Sequence, residues 1–333
     1  MFWCIITDMI KFTIGENQGN QRLDRFLKKY FAKSSLSHVY KLIRKDVKVN
    51  GKRKTPETVL AAGDEITIYI SEEEAAAMQR ESKAVRIKKQ FTVIYEDENI
   101  LAVEKPFGLL THGDGKEKKN HLANQVLDYL TAKGDYVPAE EKTFTPSPAN
   151  RLDRNTTGLV LFGKTSAALR ELNGMLREGG SIEKLYVTIT AGCIKQSLHL
   201  KDGMTKDERK NIVSISGNGG KLMDTEVFPL SVSKDGRYTL AEVKINTGRT
   251  HQIRVQLSEA GYPIIGDTKY GRENINRIVK KRYGLTTHLL HAEKIVFSRC
   301  REDGPLYYLQ GKEIVCPLPE NFAGIKEDIF GKN

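Results

Sequence analysis

The sequence predicts an α+β fold in two domains: a larger domain on a mixed, largely antiparallel sheet, and a small domain of helices and a β-hairpin. Three observations predict this. A chain of 333 residues with 39% hydrophobic residues favours two globular domains over one. After residue 91, strand-like and helix-like segments alternate irregularly, which argues against a regular βαβ repeat. Positive charge is concentrated near the N terminus, which sets that segment apart from the rest.

The basic segment runs from Arg22 to Lys54. It holds twelve Lys or Arg residues against Asp24 and Asp46, whereas the whole chain has a formal net charge of +11. Such clustering is typical of a surface that binds a polyanion. A solvated basic face without a partner is the alternative interpretation.

Cysteine usage and the chain start bear on location. Four scattered cysteines without a CxxC pair predict neither a disulfide framework nor a thiolate zinc site, and we expect a reducing, cytoplasmic location. The apolar start "MFWCII" is too short for a signal peptide or a membrane span, so we expect no membrane partner.

Residues 20–71 predict two amphipathic helices and a hairpin. The first helix has apolar residues on one face: Leu23, Phe26, Leu27, Tyr30 and Phe31. The second begins at Ser35, and its predicted inward residues are Leu36, Val39, Tyr40 and Ile43. Asn50-Gly51 is a strong hairpin signal, and the alternating isoleucines of "EITIYI" predict a closing strand.

Residues 72–90 have mixed charge and little apolar periodicity, which predicts a linker before a second domain at 91–325. The predicted strands of that domain are "FTVIY", "ILAVEK", "GLVLFGK", "KLYVTIT" and "YTLAEVKI". Its predicted helices are "HLANQVLDYLTAKG", "TSAALRELNGMLREGG", which would bury Leu169, Leu172, Met175 and Leu176, and "THQIRVQLSEAG". The charged run 201–210, "KDGMTKDERK", predicts a solvated loop.

The tetrapeptide RLDR occurs twice, in different surroundings. The first copy opens the basic helix, where Asp24 is an acid favoured near a helix N terminus. The second copy precedes the polar turn "NTTG" and an apolar strand, which places Asp153 at the lip of a sheet. Its flanking arginines favour an ionised carboxylate. Such a group is either a nucleophile or half of a structural ion pair, and the tetrapeptide alone does not decide between them.

Two resemblances bear on that choice. Residues 20–71 resemble the S4-like RNA-binding domain through "RLD" at 22–24 and "VKVNG" at 47–51. Residues 90–320 resemble the RluA-type pseudouridine synthases, because "KPFGLLTHGDG", "RLDRNTTG", "EKLYVTITAG", "TGRTHQIRVQLSEAGYPIIGDTKYG" and "HLLHAEKIVF" follow in that order. The stretch from Thr247 to Gly271 is the most specific of these.

The resemblance implies roles for a few residues. Asp153 would be the catalytic aspartate, Tyr186 the active-site tyrosine and Arg254 the arginine that pairs with the aspartate. Arg151 would enter the helical stack as the target nucleotide leaves it.

Two positions depart from the family pattern. Asn150 and Thr157 stand where many members have His and Ser, so we expect an effect on substrate choice more than on activity. Asp267 and Lys269 are expected to line or brace the cleft.

The reaction needs few groups. Converting uridine to pseudouridine breaks the N1–C1′ bond and joins C5 to C1′ without redox change or net water, so we expect no metal and no nucleotide cofactor. A carboxylate at the ribose carbon, as nucleophile or electrostatic partner, and a group near C5 suffice. The base must first leave its stack, at a cost of a few kcal/mol, which phosphate contacts would offset.

We expect the substrate to be large-subunit ribosomal RNA, with transfer RNA as the alternative, and the protein to act as a monomer. The expected RNA contacts are Arg22, Arg25, Lys28, Lys29, Lys41, Arg44, Lys45, Lys52, Arg53, Arg151 and Arg249. A noncatalytic RNA-binding or ribosome-assembly factor is the rival function. The joint presence of Asp153, Tyr186 and Arg254 argues against it.

Four histidines invite other interpretations. His288 and His291 in "HLLH" are spaced like metal ligands, but no acidic or thiolate ligand is spaced to complete a site, so we predict no metal. His112 and His251 are interpreted as a loop residue and a helix-start residue near RNA, not as general bases.

Overall fold

The computed structural model describes residues 8–79, 87–138, 140–141, 143–207, 212–216 and 220–331. These form two compact units. The first comprises the described residues up to 79 together with those of 127–146 and 164–167, and the second comprises the others. Within the described ranges, no helix has the length and apolar character needed to cross a bilayer.

The N-terminal part of the first unit contains both predicted helices and the predicted closing strand. Its strands are β1 (Ile10–Thr13), β2 (Gln21–Arg22), β3 (Val47–Val49), β4 (Val59–Leu60) and β5 (Glu65–Ile68). Its helices are α1 (Leu23–Tyr30), α2 (Leu36–Lys45) and α3 (Glu72–Met78). Strand β5 lies between β1 and β3, antiparallel to both, and β2 pairs with β4.

Helix α2 begins as predicted, because the Ser35 side chain accepts a hydrogen bond from the His38 N–H. Its buried face differs from the prediction at Leu36 and Leu42. Leu36 lies in the first turn, at the end of the buried face, and is 48% exposed, whereas Leu42 is buried beside Val39.

The predicted turn at Asn50-Gly51 forms, with φ of 51° and 74°. Val49 and Lys52 exchange both backbone hydrogen bonds across it. The run that follows does not become a strand, because β3 takes β5 as its partner instead.

Helix α3 occupies the start of the predicted linker. Ser71 caps it through the Glu74 N–H, and Ala75 and Met78 are buried in the same core as α1 and α2. The first part of the linker is therefore a packed helix of the first unit. Residues 80–86 of the linker, like residues 1–7, lie outside the described part of the chain.

From residue 87 onward the strands are β6 (Thr92–Glu96), β7 (Ile100–Lys105), β8 (Ser147–Pro148), β9 (Thr157–Gly163), β10 (Ile182–Ala191), β11 (Leu198–Asp207), β12 (Ile212–Ser216), β13 (Lys221–Val232), β14 (Tyr238–Ile245), β15 (Leu290–Phe297) and β16 (Glu313–Val315). The helices are α4 (Leu122–Lys133), α5 (Ser166–Glu178), α6 (Gln252–Glu259), α7 (Glu273–Tyr283) and α8 (Glu320–Phe330).

The strands of the second unit form one sheet in the order β12-β11-β13-β14-β10-β15-β9-β7-β6, with β16 beside β15 and β8 beside β9. Strands β15 and β9 run parallel, and the other pairs found in the described residues are antiparallel. The predicted fold class, with a mixed and largely antiparallel sheet, is confirmed.

Two local predictions for this unit were wrong. Residues 201–207 are not a solvated loop but part of β11, because pairing with β12 and β13 on both sides overrides a weak local signal. Residues 208–210 of that run lie outside the described ranges. In α5 the buried stripe is Ala168, Leu172 and Met175, while Leu169 and Leu176 are half-buried.

Gly158 determines how β9 starts. It has φ of 108° and pairs with Ala292 of β15, and a Cβ atom at this position would collide with the Ala292 carbonyl oxygen. Only glycine permits both this conformation and this approach. The loop that precedes β9, which carries Asp153, is thereby held beside β15.

Replacing Gly158 by Ala should destabilise the protein by about 3 kcal/mol or more, because a left-handed φ and a steric overlap combine. Gly236→Ala is the matched control, since Gly236 also has a positive φ of 67° but open space around it; it should lose only about 1–2 kcal/mol. Urea unfolding measures both. Equal losses would contradict the importance of the contact with β15.

Candidate active site

The loop that carries Asp153 is fixed because side chains bind its backbone both before and after this residue. The Thr111 hydroxyl donates to the Leu152 carbonyl at 3.1 Å and accepts from the Leu152 N–H at 3.2 Å. The Asn150 amide donates to one backbone carbonyl of β9 and accepts from an N–H of the same strand. The backbone on the N-terminal side of Asp153 is therefore held rigidly.

Lys105, the last residue of β7, fixes the other side. Its ammonium group is fully buried and donates to the carbonyls of Pro106, Leu109 and Arg154 at 2.8–3.0 Å. Burial lowers the pKa of Lys105 to about 7, and the charge of Asp153 opposes that shift. An ammonium group has one N–H for each of the three carbonyls, so the charged form satisfies them all.

Arg254, on α6, is the central charge of the site. Its side chain is 6% exposed and binds Asp267 through Nε at 2.7 Å and Nη2 at 2.9 Å. Its Nη1 donates to Oδ2 of Asp153 at 3.1 Å. Although burial disfavours its charge, the hydrogen bonds and charges of the two carboxylates raise the pKa of Arg254. The predicted pairing with Asp153 is present in the structure.

Asp267 braces this arginine. Its side chain is only 1% exposed, and Oδ1 also accepts the N–H groups of Lys269 and Tyr270. Burial opposes its charge, but Arg254 lowers the pKa of Asp267 below its usual value. Asp153, Arg254 and Asp267 together form a group with a net charge of −1.

His251 precedes α6 and has a left-handed backbone, with φ of 54°. Its Nε2 lies 3.8 Å from Oδ2 of Asp153, and its Nδ1 lies 2.8 Å from the Tyr270 hydroxyl. That hydroxyl also accepts the Val213 N–H at 2.9 Å. Burial lowers the pKa of His251 to about 4 against the opposing charge of Asp153. His251 is therefore neutral at pH 7.

Tyr186, on β10, is buried with 6% exposure. It lines a cavity of about 60 Å³ together with Asp153, Arg254, Arg151 and Arg249. Burial, with the charge of Asp153 as a second cause, raises the pKa of Tyr186 far above its usual range. The three predicted catalytic residues are therefore brought together, and the tyrosine is a neutral phenol.

A larger cavity of about 470 Å³ also borders Asp153. Its lining includes His112, Arg151, Arg154 and Lys269. This volume lies within the range of roughly 300–1,000 Å³ that is typical of small-ligand sites. It shares Asp153, Arg151 and Arg254 with the smaller cavity that Tyr186 lines, so the two adjoin, and we call them together the target cavity.

Three further residues considered in the sequence analysis have hydrogen-bond partners within the second unit. His288 contacts Thr156 at 2.9 Å and His291 contacts Thr157 at 2.8 Å, so both rings are engaged by hydroxyl groups. Arg249 donates through Nε to a backbone carbonyl of β13.

The basic residues of the first unit that are predicted to contact RNA lie on β2, α1, α2 and the turn after β3. The exposed ones are Arg25, Lys29, Lys41, Arg44, Lys45, Lys52 and Arg53, and the half-buried ones are Arg22 and Lys28. Arg22 is partly engaged, because it pairs with Asp24 at 2.7 Å and with Glu57 at 3.5 Å.

Sequence reasoning assigned no role to Lys105, Thr111 or Tyr270. For Lys105 a signal existed, since a lysine ends a strand that begins with four apolar residues. The contacts of Thr111 and Tyr270 join segments that are distant in sequence, and no local pattern reports them.

Comparison with known proteins identifies the chain. The family model for RNA pseudouridylate synthase matches residues 99–259, and the S4 domain model matches residues 21–66. Ribosomal large subunit pseudouridine synthase C of Escherichia coli (strain K12) is 34% identical over 299 residues, which cover 86% of this chain and 87% of that protein. The chain belongs to the RNA pseudouridylate synthase family.

Other comparisons agree with this. Ribosomal large subunit pseudouridine synthase C of Vibrio vulnificus (strain CMCP6) is 30% identical over 95% of both chains. The solved structure of Human RNA Pseudouridylate Synthase Domain Containing 4 matches with a TM-score of 0.53 at 20% identity, over 71% of this chain and 91% of that one, which supports the fold. The predicted RNA pseudouridine synthase, an isomerase with an N-terminal S4 domain, is confirmed.

The buried histidines predict acid sensitivity. Burial lowers the pKa of His288 to about 4, whereas an unfolded histidine titrates near 6.5. The unfolded chain therefore binds more protons between these values, and stability is lost as pH falls from about 6.5 to 4. His288→Asn should reduce the slope of unfolding free energy against pH in this window by up to about 1.4 kcal/mol per pH unit.

Urea unfolding between pH 7 and pH 4.5 measures this slope. His199, whose side chain is 51% exposed, provides the control variant His199→Asn. An unchanged slope in His288→Asn would show that the buried ring is not responsible.

Proposed function

We propose that Asp153 is the catalytic carboxylate and that the target cavity takes up a uridine flipped out of large-subunit ribosomal RNA. One observation carries the proposal: a partly exposed carboxylate, at 27% exposure, is bonded to a buried arginine at the edge of a cavity. Among the described residues, the charged Arg254 and the neutral His251 both approach Oδ2 of Asp153. Oδ1 is thus the oxygen available to a substrate.

The charges around Asp153 suit the chemistry. As the N1–C1′ bond breaks, positive charge develops on the ribose, and the Asp153 carboxylate at the cavity edge stabilises it. The bond from Arg254 also restricts rotation of the carboxylate, which keeps it in one orientation. Attack on C1′ and electrostatic stabilisation both use this geometry.

Tyr186 acts on the base in this proposal. As a neutral phenol it offers an aromatic surface to the uracil. Formation of pseudouridine removes the proton from C5 and leaves one on N1. A phenol can take the C5 proton only if it releases its own at the same time, so Tyr186 would serve as a relay.

The proposed substrate follows from the relatives, which are named as ribosomal large subunit enzymes, and from the basic S4 surface. Transfer RNA is the alternative. We also propose that the enzyme acts as a monomer, without metal or nucleotide cofactor, because the isomerisation involves no redox step. A cytoplasmic location fits the three described cysteines, Cys193, Cys300 and Cys316, which are free thiols.

Mapping pseudouridines in a strain that lacks the gene tests the substrate. Sites that disappear from large-subunit ribosomal RNA support the proposal. Sites that disappear only from transfer RNA would replace it with the alternative.

Asp153→Asn should lower turnover by at least about 10³-fold, because the amide keeps the shape of the side chain but loses its charge and nucleophilicity. Tritium release from RNA labelled at C5 of uridine measures turnover. Asp235→Asn, at an exposed ion pair with Arg237, is the matched control and should leave turnover unchanged. Turnover within tenfold of the original in Asp153→Asn would contradict the assignment and favour a noncatalytic role for this carboxylate.

The S4 surface should contribute the salt dependence of RNA binding. Replacing Lys41, Arg44 and Lys45 together by Gln removes three exposed charges from α2. Each lost phosphate contact reduces the slope of log affinity against log salt by roughly 0.7, so the slope should fall by about 2. Titrations of RNA at several salt concentrations measure it.

A control with the same change of charge is Lys195, Lys234 and Arg301 replaced together by Gln, all exposed in the second unit. It should leave the slope nearly unchanged. Equal slopes for the two triple variants would show that the S4 surface has no special part in holding RNA.

A further inference from the structure

An aromatic ring stands exposed beside the target cavity. Phe107 is 55% exposed, and Gly108 after it turns the chain with φ of 80°. Single exposed apolar residues are common and need no function by themselves. Phe107 differs because its backbone is fixed: the Lys105 ammonium binds the Pro106 and Leu109 carbonyls on either side of it.

The same ammonium group also binds the Arg154 carbonyl in the loop that carries Asp153. One buried ammonium group therefore sets the position of the Phe107 backbone relative to the catalytic loop. A backbone held in this way loses little conformational freedom when the side chain it carries binds a ligand.

Phe107 borders a second cavity of about 160 Å³. Asn155, Thr287 and His288 line both this cavity and the target cavity, so the two adjoin. The apolar part of its wall consists of Leu285, Leu289, Leu290, Phe322 and Ile325. Its volume lies below the roughly 300–1,000 Å³ of sites for drug-sized ligands, which suits a single flat ring system.

The polar part of the wall identifies the chemistry of the ligand. It comes from Asn155, Thr157, Tyr283, Thr286, Thr287, His288 and Asn321, and among the described residues no Asp, Glu, Lys or Arg lines the cavity. Neutral donors and acceptors beside an apolar wall match the edge and face of a nucleobase, whereas a phosphate or a charged peptide would find no counter-charge.

We propose that Phe107 and the second cavity hold the base of a nucleotide next to the target uridine. This inference rests on the proposed function, because it needs an RNA with a flipped uridine in the target cavity. A flipped base leaves its neighbour without a stacking partner. The Phe107 ring replaces that partner, as aromatic side chains do for unstacked bases in single-stranded RNA.

The test combines a protein change with an RNA change. The RNA is a short hairpin that contains a mapped target uridine, made with all bases or with an abasic nucleotide immediately 5′ or 3′ of it. With the complete RNA, Phe107→Ala should bind about 5- to 150-fold more weakly, the range that loss of one base–aromatic stack gives. With one of the two abasic RNAs, the original protein and Phe107→Ala should bind equally.

Two further variants support the reading of that result. Phe107→Trp should restore binding, because it keeps an aromatic face. Tyr307→Ala removes another exposed ring, at 47% exposure, and should change neither binding nor turnover. Thermal unfolding of each variant verifies folding.

Two results would overturn the proposal: no loss with the complete RNA, or the same loss from Phe107→Ala on the complete and on both abasic RNAs. Neither touches the proposed function, which fails separately if the original protein binds the complete hairpin but forms no pseudouridine in it.

Discussion

The candidate active site depends on the burial of one guanidinium group. Removing an arginine charge from water costs several kcal/mol unless good hydrogen bonds compensate it. Arg254 is compensated by two N–H···O bonds to Asp267 and one to Asp153. The loops that carry the two carboxylates must therefore meet the helix that carries the arginine. The interaction that makes the buried charge tolerable is the one that orients the proposed catalytic oxygen.

Helix α6 explains how the arginine reaches this position. Its residues from Gln252 to Leu257 are all buried, although three of the six are polar. Gln252 and Gln256 bond the neighbouring strands through Thr225 and through backbone carbonyls, so their amides are satisfied by the sheet. Because β11 and β13 anchor α6 on its polar side, the helix has little freedom to shift. The backbone of Arg254 is therefore held in place as well.

Local sequence patterns predicted the features that depend on residues close together in the sequence. Apolar stripes, strand alternation and the Asn-Gly turn located most helices and strands, and family motifs located Asp153, Tyr186 and Arg254. The failures share one cause. Residues 201–207 form a strand because two partners pair with them, Leu36 is exposed because the buried face ends beside it, and Lys105 acts through carbonyls up to 49 residues away. Each of these features depends on contacts between segments that are far apart in the sequence.

The two RLDR copies illustrate the same distinction. Asp24 is 5% exposed, and its carboxylate accepts from Arg22, from the Arg25 N–H and from Tyr40, all within sixteen residues. These donors leave it no exposed oxygen to offer a substrate, and burial with three partners makes it part of the core of its unit. Asp153 takes its arginine from 101 residues away and keeps 27% exposure at a cavity. The same four letters therefore specify a structural ion pair when the arginine is a neighbour in sequence. In the second copy the fold supplies the arginine from elsewhere and leaves one oxygen of the proposed catalytic carboxylate open.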